Sequence, residues 1–508
     1  MQSEDCLHLD VWTPNRPAGR PLPVLVFVYG GGSLTGHSAW YNLSALAADH
    51  GDSDSRGAVV IAINYRLGPL GFMATKELST VAATGTSGNF GLQDCELAVE
   101  WAVRHAASFG GDPGSVTMLG QSSGASMIWG LMGHRRAKTT FQKAIILSGS
   151  PNIGQPRLAA ERQNSGYAQA VGCDAPATTF TNATTNATIN ATTNATTEVE
   201  RRVLAVVACL RSPSTTAAAL SYGHSPVNDT WQQYGTLTWG VPLKRYGSPL
   251  PGKWPTPAVL IVDGSYLTTT VLASMAAGVN SHLDLLVSNV GEEDDLAPNL
   301  DFSGNGSDLG PLREYLGDQL APWGAGLAGA LLNSTQYRGL PPQQAYLQIA
   351  GHIGTTCGQH HLMEAAALRA HGPGKLYYTV VEAGPSLPQT LGVASIAGYV
   401  NRYSYHQSDL LWAMEQWNWF ADFAGVAKRY VPTLDDMAQA RLFRTTWLAF
   451  AQGDAAVSRW TNLTEFGAAD RVVGVVGKTA IVPTPGYLVQ PCATYEQVGL
   501  WVGFWWQN

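Results

Sequence analysis

A serine bracketed by glycines, Gly120-Gln121-Ser122-Ser123-Gly124, stands between a short apolar run, Val116 to Leu119, and a helix-compatible run, Ala125 to Met132. In that setting G-x-S-x-G describes a chain that leaves a strand, turns sharply and enters a helix within a few residues. The turn holds its central residue in strain, and it needs glycines two positions to either side because a Cβ there would collide with the neighbouring helix and strand. As a bare pattern it would read as an ordinary loop in a chain with 55 glycines. The strand before it and the helix after it select the tight turn, and a strand that feeds a helix directly is a unit of a parallel sheet.

The rest of the chain repeats that alternation. Short apolar, β-branched runs recur as Cys6 to Val11, Val24 to Tyr29, Ala58 to Ile63, Lys143 to Leu147, Leu283 to Ser288 and Lys375 to Val381. Between several of them lie helical periods, clearest at Leu92, Cys95, Ala98, Val99, Ala102 and Ala106. The expected class is α/β, a mostly parallel central sheet with helices on both faces. No charge run, Pro-rich linker or long repeat separates independent units, so residues 1–508 are expected to form one domain.

Composition narrows the partners. Charged residues are 13% of the chain and the formal net charge is −7, which excludes the basic surface a nucleic-acid partner needs. No apolar stretch reaches the roughly 18 to 20 residues of a membrane-spanning helix. Asn-x-Ser/Thr sequons stand at Asn42, Asn182, Asn186, Asn190, Asn194, Asn228, Asn305, Asn333 and Asn462. Glycans on them would supply the solvation that so few charges do not, and would place the protein in the secretory pathway. Four of these sequons lie in a tandem Asn/Ala/Thr run whose bland explanation is slippage in a repetitive coding sequence. Such a composition has nothing to bury, and residues from about 174 to 208 read as a solvated insertion. Cys173 and Cys209 flank it, and pairing them would close the insertion at its base. Cys95, on a helical apolar stripe, reads as a small buried hydrophobe.

A serine hydroxyl is a weak nucleophile at neutral pH; it needs a base within hydrogen-bond reach, an anion to orient that base, and donors for the developing oxyanion. The glycine run Tyr29-Gly30-Gly31-Gly32, at the end of the strand Val24 to Val28, is where backbone N–H groups of Gly31 and Gly32 could approach a substrate carbonyl, with the N–H of Ser123 completing the set. The competing reading is a flexible turn.

These segments are embedded in a longer string of motifs: Ser3 to Leu9 (SEDCLHL), Tyr29 to Gly36 (YGGGSLTG), Asn64 to Phe72 (NYRLGPLGF), Gly88 to Asp94 (GNFGLQD), Phe109 to Pro113 (FGGDP), Gly120 to Ala125 (GQSSGA) and Leu147 to Pro151 (LSGSP). In content and order the chain resembles the type-B carboxylesterases, the family that includes the cholinesterases and fungal lipases. The resemblance implies an α/β-hydrolase fold and a serine ester hydrolase with no metal or cofactor, acting on small-molecule esters through an acyl-enzyme intermediate. It places the base at His406, in Tyr405-His406-Gln407-Ser408-Asp409, and the triad acid at Glu292. Glu293 competes for that place because the family has a glycine directly after its acid, where this chain has Glu293; Glu292, Glu293, Asp294 and Asp295 otherwise read as a solvated acidic turn. Ser122, Glu292, His406 is the chain order of α/β-hydrolases. By the same resemblance the disulfides are Cys173 with Cys209 and Cys357 with Cys492. The chain departs from the family at Gln121, where glutamate is usual, and at Ser123, where alanine is usual. Family members also carry a segment ahead of the region matching Ser3 to Leu9, including a signal peptide. Its absence here implies truncation at an internal methionine, an unpaired Cys6 and a sheet short of its N-terminal edge strands. A rival expectation, from members that keep the fold and lose the triad, is a neuroligin-like adhesion or recognition protein.

Overall fold

The protein is described here from a computed structural model, covering residues 3–15, 19–48, 57–134, 140–150, 154–170, 172–173, 180–181, 188–189, 198–213, 215, 260–296, 298, 300–368, 374–391, 396, 398–423, 425–426 and 429–498. Among the described residues the largest sheet has nine strands: β1 (Leu9–Trp12), β2 (Leu22–Val28), β3 (Val59–Ile63), β4 (Gly111–Gln121), β5 (Lys143–Leu147), β6 (Asp284–Val290), β7 (Leu376–Val381), β8 (Val472–Val476) and β9 (Ile481–Pro485). They lie in the order β1-β3-β2-β4-β5-β6-β7-β8-β9. The interior pairs are parallel, and only the two outermost pairs, β1 with β3 and β8 with β9, are antiparallel.

The central strands are continuous apolar runs because both of their faces are covered. All seven residues of β2 and all five of β3 are buried. The covering helices include α1 (Phe90–His105), which buries Leu92, Cys95, Val99 and Ala102 along one stripe, and α2 (Ser123–Met132), every residue of which is buried. A helix that is apolar all round belongs inside a molecule.

The expected strands are present with shifted ends. The first begins at Leu9 rather than Cys6, and the strand expected from Val116 runs from Gly111 to Gln121. The hairpin β8–β9 escaped the sequence reading. Pro483 and Pro485 argue against an interior strand, but at the sheet's edge a missing N–H costs little.

Register fixes where the site must be. Gln121 at the end of β4 is level with Leu147 at the end of β5, Leu147 is level with Ser288 near the end of β6, and Val290 is level with Val381 at the end of β7. The loops that follow these parallel strands therefore leave the sheet on one side, at its carboxyl edge, where open α/β sheets hold their ligands.

Two disulfides join Cys173 to Cys209 and Cys357 to Cys492, while Cys6 is half-buried and free and Cys95 is buried and free. Asn42, Asn333 and Asn462 are exposed and Asn305 is partly so. Asn182, Asn186, Asn190, Asn194 and Asn228 lie outside the described residues, as does most of the stretch from 174 to 197. No described helix is long and apolar enough to cross a membrane.

Candidate active site

β4 delivers Gln121 to the carboxyl edge, and α2 starts at Ser123. Between them Ser122 adopts φ 58°, ψ −131°, a backbone conformation that costs a non-glycine residue about 1 kcal/mol or more. The turn is held by the Ser122 N–H donating to the Leu147 carbonyl at 2.8 Å and the Ser126 N–H donating to the Ser122 carbonyl at 3.0 Å. A Cβ at Gly120 would come within 2.7 Å of the Ala125 backbone, and one at Gly124 would overlap the carbonyl oxygens of Val28 and Tyr29. Both glycines are therefore required by space, as the motif demands. The glycine run after β2 packs directly on this elbow, since a Cβ at Gly30 would lie 2.5 Å from the Ser122 Cβ and 2.7 Å from the Gln121 Oε1.

His406 lies in the loop between β7 and the helix α3 (Ser408–Ala413) and is buried. Its Nδ1 is 2.6 Å from Oε2 of Glu293, and its backbone N–H donates to the Glu293 carbonyl at 3.2 Å. The other carboxylate oxygen of Glu293 accepts from the Asn289 Nδ2 at 3.2 Å and from the Val290 N–H at 3.3 Å. With Nδ1–H given to Glu293, the imidazole presents Nε2 as an acceptor, and the Gln121 side-chain amide meets it at 3.0 Å.

The expectation that Glu292 is the partner of His406 is corrected by this geometry. Glu292 turns away. Its Oε1 accepts from the amides of Gln344 and Gln348 at 2.9 and 3.0 Å, and its Oε2 accepts from the Ser404 hydroxyl at 2.8 Å. Successive residues on the tight turn after β6 point in different directions, so the acid one position later is the one that faces the imidazole. Burial, with nearby Glu382 adding to it, pushes the Glu292 carboxyl up to about 8, so at neutral pH it is mostly a neutral acid.

The reading of these four acids as a solvated turn is corrected as well, because Glu292, Glu293, Asp294 and Asp295 are all buried. Asp295 anchors the segment leading to His406. Its carboxylate accepts from the Tyr399 hydroxyl at 2.6 Å and from the N–H groups of Arg402 and Tyr403, each at 3.0 Å. Asp294 and Asp409, both buried close to Glu293 and His406, are each pushed up to about 7, first by burial and next by the charge of Glu293 for Asp294 and, after a backbone hydrogen bond that opposes the shift, for Asp409. Both shifts disfavour further negative charge around the carboxylate that faces the imidazole.

Asn289, Ser404, Gln344 and Gln348 were not singled out by the sequence. None carries a motif; each is placed by the fold against a carboxylate. Among the described residues no group of three or more His, Cys, Asp or Glu is arranged to hold a metal ion.

A parallel sheet with a strained serine between β4 and α2, and a buried histidine–carboxylate pair at the same edge, is the arrangement of the α/β-hydrolase fold. Solved structures share that fold: a PNB esterase aligns with 97% of this chain and 85% of its own at a TM-score of 0.63 and 20% identity, and a thermophilic PNB esterase with 97% and 84% at a TM-score of 0.67 and 19% identity. Residues 1–216 match the carboxylesterase family. The fumonisin B1 esterase of Sphingopyxis macrogoltabida is 39% identical over 177 residues, 34% of this chain and 31% of that protein. The acetylcholinesterase of Gallus gallus is 38% identical over 176 residues, 34% of this chain and 21% of that protein. Cholinesterase 1 of Branchiostoma lanceolatum is 38% identical over 178 residues, 34% of this chain and 46% of that protein. The chain thus spans less than half the length of these curated relatives.

Proposed function

We propose that the protein is a serine carboxylic ester hydrolase whose triad is Ser122, His406 and Glu293. The observation that carries this reading is the buried 2.6 Å contact between His406 Nδ1 and Glu293 at the sheet edge where the strained Ser122 turn stands. The Ser122 oxygen attacks the ester carbonyl as its proton passes to His406 Nε2, and the N–H groups of Gly31, Gly32 and Ser123 stabilise the oxyanion. The imidazolium, charge-balanced by Glu293, gives the proton to the departing alkoxide, leaving an acyl-serine. Water then enters by the same route, its proton going to Nε2 and its oxygen to the acyl carbon; the imidazolium returns that proton to the serine oxygen as the acyl bond breaks, and the acid and free serine are released. The Gln121 amide must leave Nε2 for the serine hydroxyl to bond there.

Esters of small molecules are the substrate class this chemistry fits. The elbow and the charge-paired histidine favour an enzyme over a neuroligin-like recognition protein. The two disulfides and the exposed sequons support passage through an oxidising, glycosylating compartment. A fluorophosphonate probe tests the reading. Capture at Ser122, with Ser122→Ala lowering kcat on a p-nitrophenyl ester by on the order of 10⁶, is the expected result. A folded sample that neither labels nor turns over ester would end it.

A further inference from the structure

We propose, resting on the reading of Ser122 as nucleophile, that the Ser123 hydroxyl and the Tyr65 phenol form a clamp that holds the oxyanion loop in place. Ser123 would then act twice, as a donor through its backbone and as a positioning residue through its side chain.

The clamp is a pair of buried hydrogen bonds, one at each end of the loop. The Ser33 N–H donates to the Ser123 Oγ at 3.0 Å, and the Tyr65 hydroxyl donates to the Tyr29 carbonyl at 3.1 Å. The two bonds therefore tie the residues that bracket Gly30, Gly31 and Gly32. The side chains that make them are rooted elsewhere, Ser123 at the start of α2 and Tyr65 in the segment after β3. Tyr29, Ser33, Tyr65 and Ser123 are all buried, so water does not compete for these bonds.

The loop needs such support because it is strained. Gly31, Gly32 and Ser33 have φ of 117°, 64° and 58° in succession, and for Ser33 this left-handed backbone costs roughly 1–2 kcal/mol. The Ser33 side chain does not hold it there, since its Oγ is buried without a hydrogen-bond partner. Its backbone does, through the N–H given to Ser123 and a carbonyl that accepts from the Gly68 N–H at 2.8 Å. Removing the Ser123 hydroxyl would leave the Ser33 N–H buried and unpaired, and the cheapest relief is for the loop to move. Oxyanion donors act only when set about 3 Å from the transition-state oxygen, so a small displacement lowers the rate of the chemical step without loosening substrate.

The test uses Ser123→Ala, Tyr65→Phe and the double variant in the full chain. It reads kcat and KM on a p-nitrophenyl ester, inhibition by an aryl trifluoromethyl ketone as tetrahedral mimic, fluorophosphonate labelling, and Tm. Each single variant is expected to lower kcat about tenfold with KM within about twofold, and to weaken the ketone by the same factor. The double variant should lose about the product of the two single losses, since each bond ties its own end of the loop. Ser123→Thr, which keeps the hydroxyl, should recover most of the loss. Wild-type kcat and ketone affinity in both single variants would overturn the clamp, as would a loss confined to KM. If Ser123→Ala does not fold, Tyr65→Phe decides alone by the same readings. Failure of the underlying nucleophile assignment looks different: wild-type protein that does not label, or Ser122→Ala that still turns over ester.

Discussion

On one side of the candidate site Ser122 is placed by backbone; on the other, His406 and Glu293 are placed by side chains. The elbow and the glycine run leave no freedom, because Cβ atoms at Gly30, Gly120 and Gly124 would strike neighbouring atoms and Ser122 sits in a conformation that its surroundings impose. The proposed acid and base are selected by which polar groups the fold lays against each carboxylate. Glu293 receives His406, Asn289 and the Val290 N–H, while Glu292 receives Gln344, Gln348 and Ser404. A backbone constraint is written in a few adjacent residues. A side-chain assignment is written across the whole molecule.

The sharpest way to break this comparison is to neutralise the two adjacent glutamates separately. Glu293→Gln should lower kcat by on the order of 10⁴, the scale of loss when the orienting anion of a triad becomes an amide, whereas Glu292→Gln should keep kcat within about threefold. Equal losses, measured on one p-nitrophenyl ester, would mean that the two carboxylates act as a unit. Next in size, Gly30→Ala pushes a methyl group against the Ser122 side chain, and kcat should fall about 10²- to 10³-fold, as when an oxyanion donor is lost. A variant with full activity would show that the backbone side is softer than its contacts imply.

Stability probes sharpen the contrast further. Opening Cys357–Cys492, which closes 135 residues, should cost about 1 kcal/mol more than opening Cys173–Cys209, which closes 36; urea unfolding of the two Cys→Ser pairs measures this. The smallest effect concerns pH. Glu292 titrates in the folded protein at about 8 against an ordinary 4.5, so the folded state holds this proton where the unfolded chain has released it. Its contribution is complete below about 4.5 and is lost as pH rises through about 8. Glutamine is the isostere of the protonated acid. Glu292→Gln should therefore gain in Tm relative to wild type on going from about pH 5 to pH 8, and a difference that stays flat across that range would place an ionised carboxylate there.

The same division governs what could be read from residues alone. The parallel sheet, the elbow, the glycine loop, the α1 stripe and His406 were legible because period, glycine spacing and flanking residues encode them locally. The edge hairpin at 472–485 was not, since its prolines argue against a strand until its place at the sheet margin is known. Nor was the choice between Glu292 and Glu293, nor the Gln121 amide on His406, because each depends on groups up to 285 residues away.

Distance along the chain also has a consequence for synthesis. His406 lies 113 residues beyond Glu293 and 285 beyond Gln121, so a ribosome extrudes the serine long before the group proposed to activate it. During that interval the hydroxyl is as inert as any other alcohol on a nascent polypeptide. An aborted product ending before residue 406 would carry the nucleophile without the means to use it.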